Sequence, residues 1–249
     1  MSTAGLQSSY FGELSAALRW RPGDLVAMLW GYFDESGFHD PATGRLRQLS
    51  FGGCLASCDS WSGFEAEWKA VLAPEGIACF HMTDFENWKE PFDFKLPDGS
   101  RDKAKHERIL NALLEVIAKH VPHTYGFTRK VSKPSKALSD TYEWCIIDTI
   151  MHLANASAYQ FDEKISIIFA RHKDFALPRI ERYFGFMNYG DARLGTVGTD
   201  SPGNLCELQA ADIISYEISR MERDGIPRRY PLTQLSKLGC KFRFSTSLP

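Results

Sequence analysis

The chain of 249 residues lacks an excess of positive charge, because 29 Lys and Arg are balanced by 31 Asp and Glu to a net charge of −2. This balance argues against a globally basic nucleic-acid binder, although a local basic groove would suffice for binding. No apolar run reaches membrane-spanning length, and the N-terminus lacks the apolar core of a signal peptide. We therefore expect a cytoplasmic protein with no membrane partner.

The six cysteines lack the spacing of a zinc site. No CxxC pair occurs, and Cys54 and Cys58 have no second pair of ligands at the usual spacing. Their apolar surroundings indicate free thiols buried in a reducing compartment. The sequence also contains no P-loop, no GxSxG nucleophile elbow and no HExxH zinc motif, so it offers no sign of these three chemistries.

What the sequence does contain is a hydrophobic fraction of 44%, enough for a sizeable core. We interpret residues 1–27 as an extension outside that core and residues 28–249 as one domain. A hairpin is predicted from strands at 28–34 and 49–56, and strands then alternate with helices. This order predicts an α/β fold, a mixed β-sheet flanked by α-helices. The other predicted strands or extended segments are 77–82, 123–130, 164–170 and 194–198, and the predicted helices are 59–72, 102–120, 139–154, 176–187 and 205–221.

Two acids follow the aromatic end of the first strand directly, and they are Asp34 and Glu35. A carboxylate at the end of a buried strand is costly unless a cation or hydrogen bonds satisfy it. We expect Gly37 to let the chain turn sharply just afterwards. Because side chains alternate along a strand, Glu35 is expected to face away from Asp34 or to lie in a solvated turn.

A second isolated acid, Asp212, lies beside the apolar stripe of the predicted helix 205–221. Such a carboxylate needs a partner, and a structural ion pair with a neighbouring Arg is one interpretation. Gln209 shares the same face of the helix. The small side chains of Ala210 and Ala211 would let the helix approach the sheet closely, which would bring Asp212 near Asp34.

A third cluster combines His81, Asp84 and Glu86, between a short apolar segment and a loop. His81 could be a metal ligand, a general base or a core residue, and Asp84 could equally cap a short helix. Carboxylates brought together repel each other unless cations neutralise them. Oxygen ligands suit Mg²⁺ or Mn²⁺, which can clamp the attacking and leaving oxygens of a phosphodiester.

Basic residues form local groups rather than a general excess. Arg129 and Lys130 belong to one group near a strand end, and a second group lies in the C-terminal region. Either group could hold a phosphate backbone or form an ordinary solvated face.

Three motifs resemble, in order, the domain-of-unknown-function family 3800 of bacteria and phages. They are Tyr32–Gly37, Phe80–Asp84 and Leu208–Asp212. The resemblance implies an RNase H-like fold and a divalent-metal site in which Asp34 and Asp212 are ligands. Family members often carry an Asp where this chain has Arg171, and a positive charge there would disfavour metal binding nearby. Asp174 could substitute from the next turn.

The leading hypothesis is a metal-dependent nuclease that hydrolyses phosphodiester bonds of DNA or RNA with Mg²⁺ or Mn²⁺. One alternative is a degenerate module of the same fold that binds nucleic acid or protein without cutting. Another is a metal-dependent hydrolase of small phosphorylated molecules. The expected metal ligands are Asp34, Asp212, Asp84 and Glu86, with His81 moving protons and Arg129, Lys130 and Gln209 contacting the substrate. Neither the oligomeric state nor the biological role is predicted.

Overall fold

The structure is a computed structural model that describes residues 29–131, 138–160, 164–172, 181–182, 194–225 and 229–247. The strands are β1 (Leu29–His39), β2 (Leu46–Ser57), β3 (His123–Lys130), β4 (Ile165–Ala170), β5 (Leu194–Asp200) and β6 (Lys241–Ser247). The helices are α1 (Cys58–Leu72), α2 (Met82–Glu86), α3 (Lys103–His120), α4 (Leu138–Gln160), α5 (Cys206–Asp224) and α6 (Tyr230–Lys237). Within these residues, no helix is both long and apolar enough to cross a membrane.

The strands form one mixed sheet of six in the order β5-β4-β1-β2-β3-β6. The first three strands make an antiparallel meander, which confirms the predicted N-terminal hairpin. β4 runs parallel to β1, β5 runs parallel to β4, and β6 runs parallel to β3. The predicted α/β fold, a mixed sheet with alternating helices, is confirmed by this arrangement.

Helices cover both faces of the sheet, and each face has its own apolar core. Side chains alternate along β1, so Phe33 points into the core under α4, whereas Tyr32 points into the larger core under α1, α3 and α5. Trp61 of α1 packs edge-on against Tyr32, with ring centroids 4.9 Å apart. Asp34 shares its face with Tyr32 and therefore lies on the α5 side of the sheet.

β1 does not end at its acids, contrary to the sequence-based expectation. The strand continues to His39, and Gly37 pairs with Leu49 inside the ladder instead of forming a turn. The pairing of β1 with β4 stops at Phe33, and beyond that residue the only strand paired with β1 in the described part of the chain is β2. Asp34 therefore lies where β1 loses one of its two partners, and this places a polar group at the edge of the buried region.

Helix α1 begins directly at the end of β2. The Oγ of Ser57, the last residue of β2, accepts the N–H of Ser60 at 3.4 Å and caps the helix. The segment 77–82, predicted as a strand or an extended segment, forms no strand among the described residues, and Met82 already begins α2.

Some predictions fall on residues outside the described ranges. The proposed extension 1–27, Asp174 and most of the predicted helix 176–187 are among them, although residues 181–182 are helical. The sequence-based interpretation did not include α6 or β6, which follow α5 and complete the sheet edge next to β3.

Candidate functional site

Asp34 is buried on the α5 face of β1, with 8% of its surface exposed. Its Oδ1 accepts the backbone N–H of Glu35 at 2.8 Å. In the antiparallel ladder Asp34 lies opposite Gly52 of β2. This register matters because Gly52 is the point at which α5 touches the sheet.

The close approach of α5 depends on the absence of a side chain at Gly52. A Cβ built there would lie 2.2 Å from the backbone N of Ser215 and 2.4 Å from its Cα. Helix α5 therefore packs backbone against backbone on β2. Asp212 lies three residues before Ser215, one turn along the helix, and so comes next to the stretch of β1 that carries Asp34. The sequence-based argument assigned this approach to Ala210 and Ala211, which are fully buried.

Asp212 is held by the start of α2 and is 5% exposed. Its Oδ2 accepts the backbone N–H of Met82 at 2.6 Å. The Nδ1 of His81 lies 3.7 Å from the same oxygen, and the imidazole is half exposed. A helix N-terminus and an imidazole are thus both directed at one oxygen of this carboxylate.

The electrostatics of these acids are dominated by burial and by each other. Burial, together with the charges of Glu35 and Asp212, raises the pKa of Asp34 well above its ordinary value. Burial also raises the pKa of Asp212, with further increases from Glu35 and Asp84, while His81 and the Met82 amide act in the opposite direction. Among the described residues, neither Asp34 nor Asp212 forms an ion pair with Lys or Arg.

Glu35 contributes more to this site than the sequence suggested. It lies within β1 rather than in a turn, and it is half buried. Its charge acts on both Asp34 and Asp212, and it contributes after burial to a raised pKa of Tyr142, on α4. Strand alternation therefore directs Glu35 toward the α4 side, but its position at the sheet edge keeps it within electrostatic reach of the other two acids.

Asp200 also lies at this edge, although the sequence did not single it out. It ends β5 and pairs with Ala170, the last residue of β4, in the parallel ladder. Its Oδ1 accepts the N–H of Ser201 at 2.7 Å and the Nδ2–H of Asn204 at 2.9 Å. The carboxyl ends of neighbouring parallel strands meet at one edge of a sheet, and this rule could have identified it.

Arg171 follows β4 and is exposed, with its backbone N–H donated to the carbonyl oxygen of Asp200 at 2.7 Å. The main electrostatic influences on Asp34 and Asp212 come from other groups, as described above. The structure therefore gives no sign that the positive charge of Arg171 neutralises either acid.

The remaining predicted site residues are engaged with other parts of the chain. Asp84 pairs with Lys89 at 3.2 Å, and Glu86 pairs with Arg229 at 2.9 Å. Arg129 pairs with Asp148, and Lys130 lies 3.9 Å from Glu222. Gln209 is buried, with its Oε1 accepting from Trp68 and from the backbone of Phe80, and its Nε2 donating to Pro202. The geometry thus brings together Asp34, Asp212, Glu35, His81 and Asp84, and it places Glu86, Arg129, Lys130 and Gln209 in other contacts.

The donor chemistry of the site suits a divalent cation. Carboxylate oxygens are the ligands that Mg²⁺ and Mn²⁺ prefer, and a cation would relieve the mutual repulsion of Asp34, Glu35 and Asp212. Within the described part of the chain, however, no three His, Cys, Asp or Glu side chains already stand in positions that could hold one ion together. A bound cation would therefore require side-chain adjustment or oxygens supplied by a substrate.

No protein-family model matches the chain, and no curated protein matches it. Two of the similar solved structures are Bst-RNase HIII in complex with Mn²⁺, with a TM-score of 0.37 and 14% identity, and a mutant protein of Bst-RNase HIII, with a TM-score of 0.34 and 12% identity. They cover 83% and 81% of this chain, which spans 59% and 57% of theirs.

At these TM-scores the similarity carries no argument. The predicted α/β fold, a mixed sheet with an N-terminal hairpin and flanking helices, is confirmed by the strand order and helix layers of the chain itself. Membership of the domain-of-unknown-function family 3800 stays a prediction.

Proposed function

We propose that this protein is a metal-dependent, RNase H-like nuclease that hydrolyses phosphodiester bonds of nucleic acid with Mg²⁺ or Mn²⁺. The observation that carries the proposal is the pair of buried carboxylates, Asp34 and Asp212, which come from different elements, with the charge of Asp212 raising the pKa of Asp34. Burying acids without a cationic partner is costly, and among the described residues neither acid pairs with an Arg or Lys. The six free cysteines support a reducing, cytoplasmic location.

The roles of the residues follow from their positions. Asp34 and Asp212 would hold the cation, and Glu35 and Asp84, whose charges act on this pair, would add oxygen ligands after side-chain adjustment. When bound, the cation supplies charge neutralisation for the phosphodiester and activation of the attacking water. His81 is half exposed and lies next to Asp212, so it can pass a proton between the site and the solvent. The backbone N–H of Met82 keeps the Asp212 carboxylate oriented.

The test is the effect of Mn²⁺ on thermal unfolding and on cleavage of labelled oligonucleotides. Saturating Mn²⁺ should stabilise the wild-type protein by about 2.7 kcal/mol at a concentration of 100 times Kd. Asp34→Asn and Asp212→Asn should each abolish both this stabilisation and cleavage, while remaining folded without metal. Asp59→Asn, which changes an exposed acid on α1, should behave as wild type. Cleavage by a double Asp34→Asn, Asp212→Asn variant at the wild-type rate would contradict the proposal.

A second candidate is the degenerate binding module, and the lack of three preassembled ligands among the described residues favours it. This candidate predicts tight binding of nucleic acid that neither needs Mn²⁺ nor leads to cleavage. Turnover of nucleotides but not of oligonucleotides would instead indicate the hydrolase of small phosphorylated molecules.

A further inference from the structure

A stack of aromatic rings begins on α2, the helix whose first residue binds Asp212. Phe85 of α2 is fully buried and its ring is stacked on that of His106, with centroids 3.6 Å apart. His106 in turn is stacked on Trp88, with centroids 4.2 Å apart and an angle of 11° between the planes. The Nε2 of His106 lies 3.0 Å from the carbonyl oxygen of Phe85, which fixes the middle ring.

The stack ends at the surface with a guanidinium group. The Cζ of Arg101 lies 5.0 Å from the centroid of the Trp88 ring. Since His106 already occupies one face of the Trp88 ring, Arg101 covers the other. The order of layers is therefore Phe85, His106, Trp88 and Arg101, from the core outward.

Among the described residues, Arg101 has no acidic partner, unlike three nearby lysines. Lys89, Lys95 and Lys105 pair with acids at 3.2 Å, 3.0 Å and 2.6 Å, respectively. Among the described residues, the exposed side chain of Arg101 forms no ion pair and no hydrogen bond. Its guanidinium thus lies over the Trp88 ring, and its N–H groups face solvent without a partner among the described residues.

Trp88, the outer ring of the stack, has a strained backbone. Trp88 has a φ of 55°, a left-handed conformation that is unfavourable for a bulky residue. Its N–H donates to the carbonyl oxygen of Phe85 at 3.1 Å. Strained residues of this kind persist where the surrounding structure fixes them, and they cluster at binding sites.

The stack is also close to the proposed metal ligands along the chain. Phe85 follows Asp84, and the N–H of Met82, at the other end of α2, donates to Asp212. A nucleic-acid strand whose phosphate reaches Asp34 and Asp212 would therefore pass over α2 toward Arg101. A planar cation with one open face is a stacking platform for an unpaired base, and its N–H groups can also contact a phosphate.

We propose that Arg101, held by Trp88, binds an unpaired nucleotide of the substrate beside the cleavage site. This inference rests on the proposed function and adds to it a preference for single-stranded over fully paired nucleic acid. The flat face of the guanidinium, rather than its charge alone, provides the contact.

The test compares variants for binding of a labelled single strand of about 20 nucleotides, as DNA and as RNA, by fluorescence anisotropy in EDTA. Arg101→Ala should weaken binding about tenfold, because a stacked base contributes an amount of this order. Arg101→Lys, which keeps the charge but removes the plane, should restore less than half of the loss on a logarithmic scale. Strands with abasic sites should bind wild type and Arg101→Lys equally.

The matched control is Arg108→Ala, which removes an exposed Arg of α3 that is paired with Glu75 at 2.7 Å. It should change binding by less than twofold, and all variants should unfold within a few degrees of wild type. Equal losses in Arg101→Ala and Arg108→Ala, or full rescue by Arg101→Lys, would overturn the stacking contact. A wild-type protein that cuts oligonucleotides while Arg101→Ala binds them equally well would overturn this inference alone, whereas a wild type that neither binds nor cuts them would overturn the proposed function as well.

Discussion

Helix α5 carries two buried acids with opposite surroundings, Asp212 and Glu217. Burial raises the pKa of both. Glu217, which is completely buried, has Arg229 at 3.3 Å, and the charges of Arg229 and Arg220 lower its pKa. Asp212 has other acids, a backbone amide and a half-exposed histidine around it instead. A buried acid therefore marks a candidate site when the chain supplies no strong cation for it, and a structural network when it does.

The two acids are also connected through α2. Asp212 accepts the N–H of Met82 at the start of that helix, and Arg229 links Glu217 to Glu86 at its end. Because Glu86 pairs with Arg229, it does not join the predicted metal ligands. Both halves of α5 thus bind α2, but only the first half carries an acid that we propose as a metal ligand.

Gly52→Ala should disrupt both halves at once and have the largest effect. The added methyl group would overlap backbone atoms of Ser215 and Ile214, which lie between the two acids, and backbone cannot move aside as a side chain can. We expect a loss of at least about 3 kcal/mol in the free energy of unfolding, measured with urea, and loss of any Mn²⁺-dependent stabilisation. Gly198→Ala is the control, since a methyl group added at this position of β5 would have nothing within 4 Å. Similar losses in the two variants would refute the close-approach argument.

Glu217→Gln should separate the two acids by their response to pH. Burial raises the pKa of Glu217 from 4.5 to about 7, so its ionisation in the folded protein costs stability as the pH rises from 4.5 to 7, and the full cost is present above pH 7. The variant lacks this cost, so its stability relative to wild type should improve by up to about 3 kcal/mol between pH 5 and pH 8. Urea unfolding at a series of pH values measures this difference. A difference for Glu217→Gln that does not vary with pH would count against the assignment.

His81→Ala should have the smallest effect on stability. The imidazole is 53% exposed and 3.7 Å from Asp212, so its loss should change the free energy of unfolding by less than about 1 kcal/mol. Stabilisation by Mn²⁺ should persist, while cleavage should fall about a hundredfold if His81 moves protons. Lys89→Ala, which removes a neighbouring surface pair with Asp84, is the control for a general change in local charge. Equal cleavage by His81→Ala and wild type would remove the proton-transfer role.

Much of the fold could be predicted because its elements carry clear local signals. The strand 123–130 was predicted to the residue, and the predicted helix 102–120 matches α3 to within one residue. The five-residue helix α2 is too short to show a helical period, and it was not predicted from the sequence. The continuation of β1 beyond Asp34 depends on its partner β2 rather than on its own sequence, and local patterns do not contain that information.

Some residues of the candidate site could likewise be predicted from local sequence, and others could not. Asp34 and Asp212 could be selected because each is an isolated acid in an apolar segment. The partner of Glu86 and the two donors to the Oε1 of Gln209 lie more than a hundred positions away along the chain, so these contacts could not be anticipated. Gly52 carries no chemistry of its own, and only the packing of α5 shows why it has no side chain.

Because α2 is bound to α5 at both of its ends, the length of α2 must match the spacing of Asp212 and Glu217 along α5. Met82 and Glu86 are about 6 Å apart along α2, and Asp212 and Glu217 are about 7.5 Å apart along α5, at a rise of about 1.5 Å per residue. A single insertion between Asp212 and Glu217 would rotate one acid by about 100° relative to the other, and α2 could then meet only one of them. The spacing of the two acids along α5 and the length of α2 are therefore coupled, and a change in one requires a matching change in the other.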